Sequence, residues 1–381
     1  MRLSVFLISF LCLGCSEFAT AIEPMQGDDD PITRITGNIE NPLVREFISN
    51  VVYDDDDYTY TEILDYCNIP TDWDKTYPSP IIVPIDKDLV QRLTVEGVDT
   101  LVVLTYKDGQ LFRRDVHELG AEIPVYNLIP NQEYYYTVSY IGADGRNYSF
   151  GDGYLDVQGR FRAIKVDGMH NFRDLGGYVT LYGKQIKYDK LFRSAEPQRK
   201  ESPTQGDITL NGINEILNNL RIDVELDFGD AYTESPLQGC LEFVGSIDYK
   251  ISYYDYALNP ISTGYCGDKI KNCFELILDN LRQGKKVLFH CNVGADRTGT
   301  LAFLLESLLG VCESDLAKDY EMTSFFQKYT RRRDVDCVPE RGCGYPSMIT
   351  YIKTHFDGGS INEKVENMML GFGLSHSQIR L

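Results

Sequence analysis

Hydrophobic and polar positions alternate through the first part of the chain in a way that predicts β-strands. The segment TLVVLTYKDGQLFRRDV contains two apolar runs on either side of Asp108-Gly109. A second segment, LIPNQEYYYTVSYIGADGRNYSF, surrounds Asp144-Gly145 in the same way. Because Asp-Gly favours the two-residue turns of β-hairpins, this pattern predicts two antiparallel hairpins within residues 34–161.

Three positions in the second segment predict how these strands pack. The spacing of Leu128, Pro130 and Tyr134 resembles the sequence that leads into the tyrosine corner of fibronectin-III-like sandwiches. Residues 34–161 are therefore predicted to form a small all-β, immunoglobulin-like sandwich. The alternative is a β-rich extension that packs on the next domain without a core of its own.

From residue 162 to residue 381 the pattern changes to helices that alternate with strands. Helical periodicity is present in LNGINEILNNL, DKIKNCFELILDNLRQG, TGTLAFLLESLLG and SDLAKDYEMTSFF. Apolar runs typical of buried strands are present in RIDVELDF and KKVLFH. The alternation predicts an α/β domain with a mainly parallel sheet, whose sites form beyond the carboxyl ends of the strands. Cys291 stands at such an end.

Length and charge narrow the functional classes. A chain of 381 residues favours two domains. The formal net charge of −20 argues against a nucleic-acid partner, because binding to a phosphate backbone needs a basic surface. A phosphorylated substrate remains compatible with this charge, since a local cationic site can oppose the sign of the whole chain.

The N-terminal residues 1–21 predict an export signal, because a cation precedes an apolar run that is too short to span a bilayer. The letters LGCS resemble a bacterial lipobox in which Cys15 becomes acylated, although Cys12 stands where leucine is usual. The alternative is ordinary cleavage after the letters ATA. Residues 22–33 are polar and acidic and are predicted to form a linker. Both routes export the protein.

The other cysteines and the histidines do not predict a metal site. Among the cysteines after Cys12 and Cys15, CxxC and CxxH spacings are absent, and the five histidines are scattered. Cys337 and Cys343 are close enough in sequence to form a disulfide in an exported protein, or they are free thiols. No metal and no organic cofactor is expected.

The segment KKVLFHCNVGADRTGTLAFLLESLL carries the candidate chemistry. It places Cys291 directly after a predicted strand and Arg-Thr-Gly at the start of a helix. The backbone N–H groups of such a loop converge at the helix N-terminus, where the helix dipole attracts an anion. Arg297 offers a planar fork for two phosphate oxygens. The same field makes Cys291 a candidate nucleophile.

These features predict attack on phosphorus, a cysteinyl-phosphate intermediate and its hydrolysis, with an acid to protonate the leaving oxygen. Thr298 is expected to donate a hydrogen bond to the cysteine sulfur, and His290 is expected to anchor the strand end. The predicted phosphate-binding residues are Asn292, Val293, Gly294, Ala295, Asp296, Arg297 and Thr298.

The letters HCNVGADRTG resemble the His-Cys-x5-Arg-Thr-Gly signature of the cysteine-dependent protein tyrosine phosphatases. MHNFRDLGGY at 169–178 and LFRSAEP at 191–197 resemble a bacterial branch that includes secreted tyrosine and dual-specificity phosphatases. The resemblance covers residues 162–381 and implies a phosphatase fold. An exported sandwich ahead of this domain also resembles members from gut-type Gram-negative bacteria.

The same motifs contain three further polar residues with expected supporting roles. Arg173 and Asp174 are expected to form an ion pair that braces the site. Arg193 is expected to have a structural role, with direct contact to phosphate as the alternative.

The sequence also departs from the family pattern. Ala295 stands where many members have lysine, and this weakens the case for multiply phosphorylated lipid headgroups. Asp227 in ELDFGD matches the aspartate of the family's Asp-Leu-Arg, but the arginine is missing. A Trp-Pro-Asp loop is absent from the sequence. The resemblance implies Asp296, which lies inside the cysteine loop, as the general acid, with Asp227 second and Asp255 third. The alternative is that Asp296 only caps or hydrogen-bonds the loop.

Together these features predict an exported, lipid-anchored phosphatase whose first candidate substrate is phosphotyrosine in proteins. One alternative applies the same chemistry to phosphoinositides, inositol phosphates or other small phosphomonoesters. The other is a surface lipoprotein whose sandwich acts in binding and whose second domain recognises phosphate without turnover. The intact residues Cys291, Arg297 and Thr298 favour an enzyme.

Overall fold

The computed structural model describes residues 33–50, 78–197, 208–228, 235, 237, 242–245, 265–326 and 344–379. The predicted export segment with Cys15, the third candidate acid Asp255 and the pair Cys337 and Cys343 lie outside these residues. Among the described helices, none has the length and apolar character needed to cross a bilayer.

The described strands in the first part of the chain form two sheets. Five strands pair in the order β1-β7-β6-β3-β4, while β2 pairs with β5. The β1–β7 pair is parallel and the other pairs are antiparallel. The strands are β1 (Thr33–Asn38), β2 (Ile81–Pro84), β3 (Thr100–Lys107), β4 (Gln110–Glu118), β5 (Glu122–Val125), β6 (Gln132–Ile141) and β7 (Asn147–Gln158).

Both predicted hairpins are confirmed, since β3 pairs with β4 and β6 pairs with β7. In the first turn Asp108 has φ 51° and Gly109 has φ 74°. Two successive positive φ angles are the property of the turn that matches the twist of the flanking strands. Asp-Gly supplies this conformation at low steric cost.

Apolar side chains fill the space between the two sheets. The hydroxyl of Tyr134 lies inside this core and accepts a hydrogen bond from the backbone N–H of Ile129 at 2.9 Å. The bond ties the start of β6 to the chain just before it. Fully buried members of the core include Leu101, Val103, Ile123, Val125, Leu128, Tyr134 and Leu155.

The prediction that residues 34–161 are all-β is wrong, because the described part of this range contains two helices. These are α1 (Pro42–Asn50) and α2 (Lys87–Val95). Helix α1 packs on the following domain, where the rings of Phe47 and Phe325 are 5.2 Å apart. The partners of its apolar face therefore come from far along the chain, and local strand patterns around it gave no sign of them.

The second part of the chain contains a five-stranded sheet in the order β11-β10-β12-β9-β8. The three pairings among β11, β10, β12 and β9 are parallel, and only β8 runs antiparallel to its neighbour. The predicted mainly parallel sheet is thus confirmed. Its strands are β8 (Arg173–Asp174), β9 (Leu191–Ala195), β10 (Val224–Asp227), β11 (Glu242–Gly245) and β12 (Val287–Cys291).

Helices accompany this sheet as the alternation predicted. Helix α5 is buried at every position from Thr298 to Ser307, which explains the unbroken apolar run at residues 301–305. The helices are α3 (Leu210–Asn214), which continues as the π-helix Glu215–Leu220, then α4 (Tyr265–Arg282), α5 (Asp296–Leu308), α6 (Glu313–Met322), α7 (Gly344–His355), α8 (Ile361–Gly371) and α9 (His376–Ile379).

Buried polar side chains join the two parts of the molecule. Arg113 on β4 donates to both carboxylate oxygens of Glu215 at 3.1 Å, and its side chain is only 4% exposed. Asn127 also donates to Glu215 at 2.6 Å. Arg162 donates to the carbonyl of Asn127 at 2.7 Å and to Asp174 at 2.8 Å. Because buried charges need such partners, these contacts fix the first domain against the second.

Candidate active site

Cys291 ends β12, the buried central strand of the second sheet. Its neighbours across the sheet are β9, where Ala195 pairs with it, and β10, where Asp227 pairs with His290. The chain then turns through four residues and enters α5 at Asp296. The cysteine therefore lies at the carboxyl edge of a parallel sheet and faces the N-terminus of a helix, as predicted.

Gly294 allows this loop to lie against the neighbouring strand. Its φ is +67°, and a Cβ at this position would lie 2.3 Å from the carbonyl oxygen of Ser194. Residues with a Cβ rarely adopt this φ, and a contact of this length is far shorter than the van der Waals distance, so the position requires glycine. The close approach brings the loop within reach of side chains behind it.

Two side chains hold the loop from behind through its carbonyl groups. The Nδ2 of Asn171 donates to the carbonyl oxygens of Val293 at 3.1 Å and Gly294 at 3.0 Å. The Nη2 of Arg193 donates to the same Gly294 oxygen at 2.9 Å. Arg193 is completely buried and contacts the loop from inside the fold.

Arg297 is placed at the mouth of the loop. Its Nη1 donates to the carbonyl of Phe228, and its Nη2 donates to the Oδ1 of Asn292 at 3.1 Å. These two bonds orient the guanidinium plane while leaving the side chain only partly buried. A planar fork oriented in this way suits two oxygens of one phosphate group.

The first turn of α5 places the other two predicted residues. Asp296 is half-buried, and Thr298 is completely buried. Within the described part of the chain the Thr298 Oγ1 has no hydrogen-bond partner. The expected bond from Thr298 to the cysteine sulfur is thus not made here, and the hydroxyl retains its capacity to donate.

His290 lies between two carboxylates. Its Nε2 is 2.8 Å from the Oε1 of Glu225, and its Nδ1 is 3.5 Å from the Oδ1 of Asp227. Ser235 also donates to Glu225 at 2.8 Å. Burial favours the neutral ring, but Asp227 and Glu225 outweigh it and raise the pKa of His290 to about 9. The protonated ring thus contacts a carboxylate on each side at the end of β12, and Asp227 faces this ring.

The expected ion pair between Arg173 and Asp174 is wrong. Successive residues of a strand point to opposite faces, so these two side chains meet different partners. Arg173 reaches Asp319, with the guanidinium Nε 3.6 Å from Oδ1. Asp174 instead accepts from Arg162 at 2.8 Å, on the side of the first domain.

Asp319 is a site residue that the sequence motifs did not reveal. It lies on α6, is almost completely buried, and pairs with Arg193 at 2.5 Å. The Tyr178 hydroxyl donates to it at 3.2 Å. Although burial favours the neutral acid, Arg173 and Arg193 lower the pKa of Asp319 below its usual value. A charged carboxylate therefore anchors both arginines.

Burial also shifts the pKa values of two other ionisable groups near Asp319, namely Arg173 and Glu306. Burial and the nearby Arg193 lower the pKa of Arg173 to about 10. Burial and the nearby Asp319 raise the pKa of Glu306 well above its usual value. Among the described residues, no group of three His, Cys, Asp or Glu side chains could hold a metal ion.

Comparison with known proteins adds an independent line of evidence. Residues 164–341 match the model of the family described as Tyrosine phosphatase family. Over 183 residues the chain is 27% identical to a protein of Cupriavidus necator named "Putative tyrosine-protein phosphatase". That match covers 43% of this chain and 63% of the relative, so the chain spans less than two thirds of that protein.

These matches support a relationship between residues 164–341 and the tyrosine phosphatase family. The matched segment begins near Ile164 and includes the cysteine loop, both arginines behind it and Asp319. The first domain lies outside this segment.

Two crystal structures of TpbA from P. aeruginosa were also found. One is 12% identical and covers 50% of this chain and 90% of its own, with a TM-score of 0.28. The other, whose title describes a cysteine-to-serine variant in complex with pTyr, is 15% identical and covers 39% and 85%, with a TM-score of 0.25. Scores this low support no conclusion about structure or function.

Proposed function

We propose that this chain is a phosphoric monoester hydrolase in which Cys291 is the nucleophile. The observation that carries the proposal is the position of Cys291 at the end of β12, below a helix N-terminus and beside an oriented Arg297. In the first step the sulfur bonds to phosphorus as the ester P–O bond breaks, and an acid protonates the departing oxygen. Water then attacks phosphorus, the S–P bond breaks, and inorganic phosphate leaves.

The proposed substrate is phosphotyrosine in proteins. The matched family and the relative's printed name support this class. Ala295 is completely buried and adds no cation, so the loop offers one arginine fork to one phosphate group. This favours a single monoester over a polyphosphorylated headgroup. Turnover of a phosphotyrosine peptide, measured beside an inositol phosphate, tests the choice; faster turnover of the inositol phosphate would reverse it.

The proposed general acid is Asp296. It occupies the first turn of α5 and is half-buried, whereas Asp227 faces the ring of His290 at 3.5 Å. Asp296→Asn should slow substrates with poor leaving groups much more than those with good ones, because only poor leaving groups need the proton. Asp227→Asn is the matched control and should change both classes equally. A steeper leaving-group dependence in the control alone would transfer the role to Asp227.

The first test of the enzyme proposal is hydrolysis of p-nitrophenyl phosphate by the full chain under reducing conditions. Activity should persist in EDTA and be lost in Cys291→Ser, because the sulfur forms the intermediate. A folded wild-type chain without activity would instead favour a domain that recognises phosphate without turnover.

We further propose that the first domain is an immunoglobulin-like sandwich with two added helices. The two-layer packing and the hydrogen bond between Tyr134 and Ile129 support this proposal, since that bond is the defining feature of a tyrosine corner. An experimental structure of residues 33–161 within the full chain would test it.

Export with a lipid anchor on Cys15 is a separate proposal, supported by the lipobox-like letters LGCS. Under this proposal the protein contacts a bacterial membrane only through the lipid, at the periplasmic side or the cell surface. Mass spectrometry of the mature N-terminus tests it. An acylated Cys15 is expected, and an unmodified N-terminus after the ATA letters would contradict the anchor.

A further inference from the structure

Four buried side chains lie directly behind the cysteine loop, on the side away from its concave face. We call them the back cluster: Asn171, Arg173, Arg193 and Asp319. Each is at most 2% exposed. They come from three different parts of the second domain, around β8, β9 and α6, and meet only in the folded chain.

The cluster fixes the direction of two peptide groups. The carbonyl oxygens of Val293 and Gly294 accept hydrogen bonds from Asn171 and, for Gly294, also from Arg193. In a planar trans peptide the C=O and the following N–H point in opposite directions. The structure contains no cis peptide bond among its described residues. The N–H groups of Gly294 and Ala295 must therefore point away from the cluster, into the loop.

The orientation of Asn171 is itself determined. Arg173 donates from Nη1 to the Oδ1 of Asn171, so the amide nitrogen is the end that faces the loop. Asn171 has φ 53°, a conformation that asparagine tolerates better than most residues. Arg173 in turn donates from Nη2 to the carbonyl of Asp319 at 3.0 Å.

Asp319 connects the two donors of the cluster. Its carboxylate pairs with Arg193 at 2.5 Å and lies 3.6 Å from Arg173. One buried carboxylate therefore holds the arginine that contacts Gly294 and the arginine that orients Asn171. Since a displaced partner would leave a buried charge unpaired, the arrangement is stiff.

We propose that Asn171 and Arg193 are positioning residues that aim the N–H groups of Gly294 and Ala295 at the substrate phosphate, and that Asp319 is their shared anchor. The proposal rests on the proposed function for the identity of the anion. It assigns the Asn-x-Arg letters at 171–173 a specific task, which is to preset the loop amides before substrate arrives.

The test measures binding of inorganic tungstate, a tetrahedral oxyanion, to the full chain by calorimetry, with kcat and KM measured in parallel. Asn171→Gly removes the amide donor but accepts the positive φ without strain. It should weaken tungstate binding and lower kcat/KM by about tenfold to a hundredfold, the range for loss of donors to a charged group. Asn171→Ala should behave in the same way.

Asn127→Gly is the matched control. Asn127 is also buried, has φ 61°, and donates from Nδ2 to a backbone carbonyl and a carboxylate at the domain interface. Its loss should lower the melting temperature while tungstate affinity stays within about twofold. If Asn171→Gly does not fold, Arg193→Lys provides the second test, because lysine cannot span Asp319 and the Gly294 carbonyl with a planar fork.

The outcomes separate the inference from the enzyme proposal. A wild-type chain that binds tungstate but hydrolyses no phosphate ester would contradict the enzyme proposal. The tungstate affinities of the variants would still test the positioning role of the back cluster. Wild-type affinity in folded Asn171→Gly, or in folded Arg193→Lys, would overturn the inference. A wild-type chain that binds no oxyanion would overturn both.

Discussion

Replacing Gly294 by alanine tests how closely the cysteine loop must approach β9. The added Cβ would lie 2.3 Å from the Ser194 oxygen, 2.5 Å from its carbonyl carbon and 2.8 Å from the Ala195 nitrogen. All three atoms are backbone, so no side chain can rotate away. The oxygen contact must open to at least 3.0 Å, which displaces the loop by about 0.7 Å.

Two costs follow from Gly294→Ala. The positive φ and the forced contact together should lower the free energy of unfolding by about 2 to 4 kcal/mol. A displacement approaching 1 Å at a catalytic group typically lowers kcat/KM by about a hundredfold. Urea unfolding and steady-state hydrolysis of p-nitrophenyl phosphate, measured on the folded fraction, check the two effects separately.

Gly183→Ala separates backbone strain from the steric contact. Gly183 has φ +71°, but no atom lies within 4 Å of a Cβ built there, and it lies in a turn near the far end of α5. This variant should lose about 1 kcal/mol of stability and keep wild-type kcat/KM. If Gly294→Ala also kept kcat/KM within twofold, the close approach of the loop would not matter for catalysis and the reasoning would be refuted.

Three further predictions concern stability and are checked by urea unfolding. Tyr134→Phe should lower the free energy of unfolding by about 1 to 2 kcal/mol, because it leaves a buried backbone N–H without an acceptor. The control Tyr135→Phe removes a hydroxyl that donates to a carboxylate near the surface, and it should lower this free energy by under about 0.5 kcal/mol. Equal losses in the two variants would contradict the prediction. Against the effect of burial, two carboxylates raise the pKa of His290 to about 9 from 6.5. The free energy of unfolding of the wild-type chain should therefore exceed that of His290→Asn by its full amount below about pH 6.5. This difference should fall by up to about 3 kcal/mol as the pH rises through 9. A difference that does not change with pH would exclude the charged ring. Arg113→Ala should destabilise the chain by about 3 kcal/mol, and adding Glu215→Gln should restore part of this loss, because one stranded carboxylate is removed; strictly additive losses would show no coupling.

The position of Cys291, the proposed nucleophile, was predictable because every relevant signal is local. The apolar run before Cys291 predicts a buried strand, the small residues after it predict a tight turn, and the apolar stretch after Arg297 predicts a buried helix. Neighbouring residues determine each of these elements, so the loop at the carboxyl edge followed from the sequence.

The support behind the loop was not predictable in the same way. Asp319 lies on a helix that follows the loop, and only tertiary packing brings it against Arg193. Its neighbours in the sequence are ordinary helix formers, so no local pattern distinguishes it. The predicted pair of Arg173 and Asp174 was wrong for a different reason. The two residues are adjacent in the sequence, but side chains of adjacent strand residues point to opposite faces.

The extent of the first domain was also beyond local reasoning. Helix α1 buries Val44 and Phe47 in the core of the second domain, and Lys318 donates to the carbonyl of Ile48 at 2.8 Å. A boundary at residue 161 falls between β7 and β8, but α1 lies before this boundary and packs in the core formed by residues after it. Only contacts across more than two hundred and fifty residues reveal its partner.

The central claim is that Cys291 forms a covalent bond to phosphorus during turnover. The most direct measurement is mass spectrometry of the protein denatured rapidly during hydrolysis of p-nitrophenyl phosphate. The account predicts one phosphoryl group on the peptide that contains Cys291, and none in Cys291→Ser. Sustained turnover with no phosphoryl group on that peptide, or equal turnover by the serine variant, would contradict the account.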